Sequence, residues 1–179
     1  MLNISTIKST PPTDERTLLE SSVFQLLEKL QIAYEYVDND SVESMEACYE
    51  IEKILDVAIK KTIVLCNRQK TTFYLLVMPG EKSFNTKDFC SKLGCSRLSF
   101  APPDKMQELM GMIPGSATIM GLLNDNEDAV QLVLDQEILQ SEWFGCNPGK
   151  NTSHLKFRTS DLMEKIIPAM KHQPVIIDL

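Results

Sequence analysis

The sequence lacks the surplus of lysine and arginine that grips a long stretch of nucleic acid. Its 18 basic residues stand against 25 acidic ones, a formal net charge of −7. Binding along many phosphates draws its strength from the basic side chains that neutralise them, so any contact with RNA is expected at a short end of it. Long apolar runs are missing too: none approaches the roughly 18 residues that span a bilayer. The opening Met1-Leu2-Asn3-Ile4-Ser5-Thr6-Ile7-Lys8 has neither a basic start nor a long apolar stretch. That argues against a secretory signal and predicts a cytoplasmic protein with no membrane partner.

Histidine is scarce, with only His154 and His172, and the five cysteines (Cys48, Cys66, Cys90, Cys95, Cys146) include no Cys-x-x-Cys pair. Structural zinc needs closely spaced ligand pairs, and an odd, scattered cysteine set does not make a disulfide framework. No metal and no cofactor are expected. The Gly-x-Ser-x-Gly elbow, the P-loop and the Gly-x-Gly-x-x-Gly fingerprint are all absent, which removes the best-marked hydrolase, nucleotide-triphosphate and dinucleotide readings.

What is present reads as one α+β domain. Its 179 residues, 43% of them hydrophobic, suffice to bury a core without staples. Residues 1–12, ending in Pro11-Pro12, read as a flexible arm before a domain over 13–179. Thr13 is placed to cap a first helix whose Leu19, Val23, Leu26, Leu27 and Leu30 recur at helical spacing. Ala33 to Val37 alternates as a strand, and Ser44 to Leu55 reads as a second helix. Thr62–Cys66 and Thr72–Met78 flank the polar turn Asn67–Lys70 as a hairpin. A helix over Thr86–Leu93 closed by Gly94, a strand over Arg97–Phe100 and a helix opened by Pro102-Pro103 follow. Gly111 to Gly121 is expected to be a loop running into a strand. Strands are then expected at Val130–Leu134, Glu142–Cys146 and Thr152–Phe157, with a helix from Thr159 to about Met170 and a final edge strand after Pro174. Short strands interleaved with short helices predict a mixed, curved β-sheet flanked by helices.

Three segments can carry chemistry. Lys60-Lys61 enters an apolar strand, where a cation can hold a phosphate or polarise a carbonyl; a solvated strand edge is the plainer alternative. Gly111 to Gly121, containing Gly115-Ser116, can leave backbone N–H groups facing a ligand, although Pro-Gly-Ser is also an ordinary turn. Gly145 to Ser153 is dense in turn formers and reads equally as a hairpin loop.

Taken in this order, the three segments resemble the YbaK/prolyl-tRNA synthetase-associated editing family, from about Thr13 to Met170. The resemblance is carried by Lys61-Thr62, Val77-Met78-Pro79-Gly80, Gly115-Ser116 running on to Gly121-Leu122-Leu123-Asn124-Asp125, and the pairs Asn147-Pro148 and Asn151-Thr152. It is greatest to the free-standing ProX (PrdX) branch. The resemblance implies a trans-editing aminoacyl-tRNA deacylase that hydrolyses the ester of mischarged proline tRNA, Ala-tRNA(Pro) foremost, with the tRNA acceptor end and a prolyl-tRNA synthetase as partners. It implies that Lys61 anchors the terminal nucleotide and that backbone N–H groups at Gly115 and Ser116 steady an oxyanion, water being the nucleophile. Thr118, Ile119, Gly121, Asn147, Pro148, Asn151 and Thr152 would shape the substrate pocket. Two positions depart from the family pattern: Asn147 stands where many relatives have histidine, and Ile119 where many have proline. Both bear on the choice of amino acid, leaving serine, threonine or cysteine as alternative targets and a non-catalytic tRNA-end module as another class of function.

Overall fold

The computed structural model describes residues 2–179. A long hairpin forms its spine. In β2 (Lys60–Asn67) and β3 (Phe73–Pro79), paired from Lys60↔Pro79 to Cys66↔Phe73, nearly every residue of β3 is buried. Asn67 builds the turn, its Oδ1 accepting from the N–H groups of Thr71 and Thr72 at 2.8 and 3.2 Å. β4 (Leu98–Phe100) pairs with β2, while β5 (Val130–Asp135) runs parallel to β3 and β8 (Val175–Ile177) parallel to β5. The result is a five-stranded sheet in the order β4-β2-β3-β5-β8. A second sheet of three antiparallel strands, in the order β1-β7-β6, joins β1 (Tyr34–Asp38), β6 (Trp143–Cys146) and β7 (Ser153–Arg158). The mixed α+β single domain expected from the sequence is therefore present, with its strands divided between two sheets.

Alternation along the hairpin feeds two cores. Val64, Cys66, Leu75 and Val77 face the larger one, shared with Leu19, Val23, Phe24 and Leu27 of α1 (Leu18–Lys29). Leu65, Leu76 and Met78 face the smaller one, with Phe89 of α3 (Thr86–Leu93). A third cluster, Val37, Ile51, Leu55, Val57 and Ile59, sits under α2 (Tyr49–Leu55). A parallel bridge, Ile59↔Gly145, ties the sheets together. Only glycine fits there, because a Cβ on Gly145 would lie 2.9 Å from Ile59 Cδ1 and 3.0 Å from the Ala58 carbonyl. This close approach sets the start of β2 beside the loop that follows β6.

Five expectations change. The first helix begins at Leu18, not Thr13: Thr17 and Glu20 form a capping box, and Arg16 is drawn off to Asp38 at 2.7 Å. The arm is paired, not loose: Ser5 donates to Asp38, Lys8 and Tyr36 exchange backbone hydrogen bonds, and Lys8 Nζ meets Asp38 at 2.7 Å; Met1 lies outside the described residues. Residues 44–55 split into a 3-10 turn (Glu46–Cys48) and α2, while α4 (Pro103–Met110) ends at Gly111 as expected. After the Gly111 loop comes a 3-10 turn, Ile119–Asn124, not a strand, since the Thr118 hydroxyl accepts from Met120 N–H and caps a helical turn. The last helical segment comprises α5 (Thr159–Asp161), a π turn (Leu162–Ile166) and α6 (Ile167–Ala169). Pro168, which has no N–H to give to the preceding turn, accounts for the break.

A candidate active-site cleft

Three loops converge on the mouth of β2 and are sewn together by amide side chains. Asn151 Nδ2 donates to the Val42 carbonyl at 2.7 Å, and its backbone N–H donates to Ser116 Oγ at 3.1 Å. Asn147 Nδ2 donates to the Ala117 carbonyl at 3.2 Å, while its Oδ1 accepts from Gly149 N–H at 2.9 Å. Thr118 Oγ1 donates to the Asn147 carbonyl at 2.7 Å. Asn39 adds a fourth stitch, its Nδ2 donating to the carbonyls of Asp40 and Asn151 at 2.8 and 3.0 Å.

The loops enclose a chamber of about 190 Å³ whose wall includes Cys48, Lys60, Lys61, Thr62, Gly115, Ala117, Asn147, Asn151 and His154. It shares Met45 and Lys61 with a wider recess of about 580 Å³ walled by Glu46, Tyr49, Glu52, Gly80 and Glu81. A narrow chamber opening into a broad recess suits a ligand with a small end and a large one.

Among the expected site residues, the chamber gathers Lys61, Gly115, Asn147 and Asn151. The Lys61 ammonium donates to the Lys82 carbonyl at 2.7 Å. Gly115 has φ +83°, a conformation glycine adopts freely. Ser116 stands behind the wall, 1% exposed, and its N–H donates to Ile113 O, so that amide is not available to a ligand. The N–H groups of Gly115 and Ala117 make no hydrogen bond to protein among the described residues, and both residues line the chamber. Within the Gly115 loop the free amides are thus Gly115 and Ala117 in place of Gly115 and Ser116. Ile119 and Gly121 pack into the interior, the latter against Met112, and Pro148 is buried. Thr152 faces a different cavity beside Arg16 and Lys150. Thr118, fully buried, acts on the loop through its hydroxyl.

Two wall residues, Cys48 and His154, carried no role in the sequence, and a third, Lys60, entered only as half of the Lys60-Lys61 pair. Lys60 is 7% exposed, and its ammonium has no hydrogen bond or ion pair among the described residues; burial holds its pKa below the usual lysine value. Burial, with Glu52 and Glu46 nearby, pushes the Cys48 thiol up to about 11, so it is a thiol and a poor nucleophile at neutral pH. His154 is 2% exposed, and burial lowers its pKa to about 4. Neighbouring lysines in a strand start and a histidine one step along β7 give no pattern that distinguishes them from structural residues.

Outside the cleft, Asp125, Asp128 and His172 are the one metal-competent cluster among the described residues. There, Asp125 already accepts from Ala129 N, Val130 N and His172 Nε2 at 2.9, 2.8 and 3.0 Å, which accounts for it as a loop clamp. No helix among the described residues is long and apolar enough to cross a membrane.

The family model of the aminoacyl-tRNA editing domain matches residues 39–165, a span that contains all three converging loops. The chain belongs to the aminoacyl-tRNA editing domain family. Its reaction class is accordingly hydrolysis of an aminoacyl ester on tRNA. This editing domain is 29% identical over 154 residues to the prolyl-tRNA editing protein ProX of Acetoanaerobium sticklandii, covering 84% of this chain and 91% of that one. It is 26% identical over 164 residues to the prolyl-tRNA synthetase associated domain-containing protein 1 of Mus musculus, covering 89% and 96%. A crystal structure of a candidate trans-editing enzyme for prolyl tRNA synthetase superposes with a TM-score of 0.65 at 14% identity, covering 92% of this chain and 99% of that one. The editing domain thus has that fold as well as that sequence signature.

Proposed function

We propose that this protein removes a small amino acid, alanine foremost, from mischarged proline tRNA. The observation that carries the proposal is the half-open chamber of about 190 Å³, bordered by the free backbone N–H groups of Gly115 and Ala117 and adjoining a recess of about 580 Å³. The chamber has the volume of a handful of waters, room for a small aminoacyl group. The recess has room for the terminal adenosine, with the exposed ring of Tyr49 on its wall. Similarity to ProX supports proline tRNA as the carrier, and prolyl-tRNA synthetase is the natural source of the error. A pocket built for proline rejects a smaller side chain by only about 1–3 kcal/mol per missing methylene, so a second, hydrolytic site is the remedy.

In this reading, water attacks the ester carbonyl and the oxyanion settles on the N–H groups of Gly115 and Ala117. Such donors are each worth roughly 3–4 kcal/mol in other enzymes. The C–O bond to the ribose then breaks, and the ribose hydroxyl recovers a proton. Lys61, held on the Lys82 carbonyl, anchors the terminal nucleotide. Asn147 shapes the chamber through its two loop hydrogen bonds and offers the ester no free amide atom. An acidic protein is suited to this substrate because only the acceptor end enters.

The test is hydrolysis of proline tRNA charged separately with alanine, serine, cysteine and proline, by the wild type and by Lys61→Ala. Fast loss of the alanyl ester, sparing the prolyl one and dependent on Lys61, is expected. Preference for another ester moves the substrate, and binding without hydrolysis of any ester makes this a recognition module.

A further inference from the structure

We propose that His154 receives the α-amino group of the bound aminoacyl ester on its Nε2 atom, acting as a substrate-positioning residue in the chamber. The argument starts at Asn39, 8% exposed, whose Nδ2 gives hydrogen bonds to the carbonyls of Asp40 and Asn151. Those two acceptors fix the orientation of the amide, so the atom 2.9 Å from His154 Nδ1 is the oxygen Oδ1. Nδ1 must therefore carry the hydrogen and Nε2 the lone pair. Nε2 has no hydrogen-bond partner among the described residues, although His154 is 2% exposed and its ring borders the chamber.

Nε2 is open to solvent from the chamber, so it is an acceptor that a bound ligand can claim, and the other amide groups of the wall are taken. Asn147 Oδ1 accepts from Gly149 N–H and Asn151 Oδ1 from Ser41 Oγ, while both Nδ2 groups hold carbonyls. Glu43 is the single carboxylate of the wall, and it is exposed to solvent. The chamber consequently offers free donors, the Gly115 and Ala117 amides and the unpaired Lys60 ammonium among them, and His154 Nε2 as a fixed acceptor. An aminoacyl ester carries the complement: a carbonyl oxygen to accept and, one carbon away, an amino group to donate. Holding both ends fixes the carbonyl carbon for attack. Strand β7 supplies the rigidity, since Ser153 Oγ on one side of His154 is bonded to the Val37 carbonyl and Leu155 on the other is fully buried.

This inference rests on the editing reading, and its test separates the two. Wild type, His154→Leu, His154→Gln and, as the rim control, Glu43→Gln are compared on tRNA bearing an alanyl ester and one bearing a propionyl ester, which lacks the amino group. The expectation is a fall of about 10- to 100-fold in kcat/KM for His154→Leu on the alanyl ester, the cost of an unmatched polar contact. The same variant should stay within about twofold of wild type on the propionyl ester. Partial recovery is expected in His154→Gln, whose side-chain oxygen can accept; a loss confined to the alanyl ester that is larger in Glu43→Gln than in His154→Leu would assign the amino group to the carboxylate and overturn the proposal. Equal losses on both esters, or none, overturn the proposal. Should the variants fail to fold, the wild type answers alone: the 15N resonance of His154 Nε2 should move on adding an alanylamido-deoxyadenosine and stay still with its propionyl counterpart. If the wild type hydrolyses neither ester, the editing reading falls, and that same titration still decides whether His154 takes an amino group.

Discussion

The Lys61 ammonium donates to the carbonyl oxygen of Lys82 at 2.7 Å, and Lys82 is itself held by an ion pair of 2.8 Å to the fully buried Asp135. The cation at the cleft therefore inherits its position from the end of β5, across the sheet. Replacing Lys82 with methionine leaves a buried carboxylate without its cation. A loss of about 1–3 kcal/mol is expected, and for a chain of this size each kcal/mol lowers Tm by roughly 2–4 °C. Hydrolysis should also fall, because Lys61 loses a fixed acceptor. Thermal melting paired with alanyl-ester turnover checks both, and an unchanged rate would show that Lys61 needs no such anchor.

Two neighbouring lysines make opposite predictions. Lys60 buries an ammonium with no partner, whereas Lys61 is half-buried and hydrogen-bonded. Lys60→Met should keep or raise stability, since an unpaired buried charge opposes folding, and should weaken hydrolysis if the chamber uses that cation. Lys61→Met should leave stability within about 0.5 kcal/mol, as expected of a half-exposed site, while turnover collapses. A denaturant titration and a turnover assay on each variant separate the two roles. Equal behaviour of both lysines would deny the assignment of the anchor to Lys61.

Ser116, expected to lend its backbone N–H to an oxyanion, serves in the fold as a brace. Its Oγ accepts from the Asn151 N–H at 3.1 Å, behind the chamber wall. Ser116→Ala should cost about 1–2 kcal/mol, the price of a buried N–H left without its acceptor. Activity should drop modestly through the displaced Asn151 loop, far short of the roughly 10⁴-fold or greater loss that follows removal of a nucleophile. Rapid quenching of a turnover on labelled alanyl ester should find no acyl group on the protein; a trapped Ser116 ester would reverse this conclusion.

Local signals carried much of the fold. Asn85 and Gly94 bracket α3 as a cap and a left-handed stop, and Asn67 to Lys70 turns the hairpin as the composition suggested. Where a nearby signal competed with a distant partner, the distant partner won. Thr13 is a plausible cap, yet Arg16 is held by Asp38 and the helix waits for the Thr17–Glu20 box. The polar arm looked free because its partner strand lies some thirty residues on, at Tyr36 and Asp38. The cleft was legible in the loops that form it, through Lys61, Gly115, Asn147 and Asn151. It was not legible at His154, whose role depends on Asn39, 115 positions away, nor at Ser116, whose N–H is claimed by a turn that only coordinates reveal.

The buried imidazole also sets a pH dependence of stability with a definite sign. His154 has its pKa lowered from 6.5 to about 4 by burial, and the unfolded chain recovers the higher value. Above pH 6.5 both states are neutral and the contribution to stability is complete. As pH falls toward 4 the unfolded state binds a proton that the native state refuses, and on the order of 3 kcal/mol is lost. Below 4 both are charged and the loss levels off. The other titratable groups of the chamber wall, Glu43, Cys48, Lys60 and Lys61, remain in place in a His154→Gln variant. So does Asp38, whose carboxyl burial pushes up but hydrogen bonds from Arg16 and Lys8 hold below its usual range. Subtracting the two proteins isolates the imidazole. Urea unfolding at pH 7 and pH 4.5 should therefore show a smaller acid loss in His154→Gln than in the wild type. Parallel losses would mean that His154 is charged or solvated in the native chamber, and with that its Nε2 would no longer be an acceptor for an amino group.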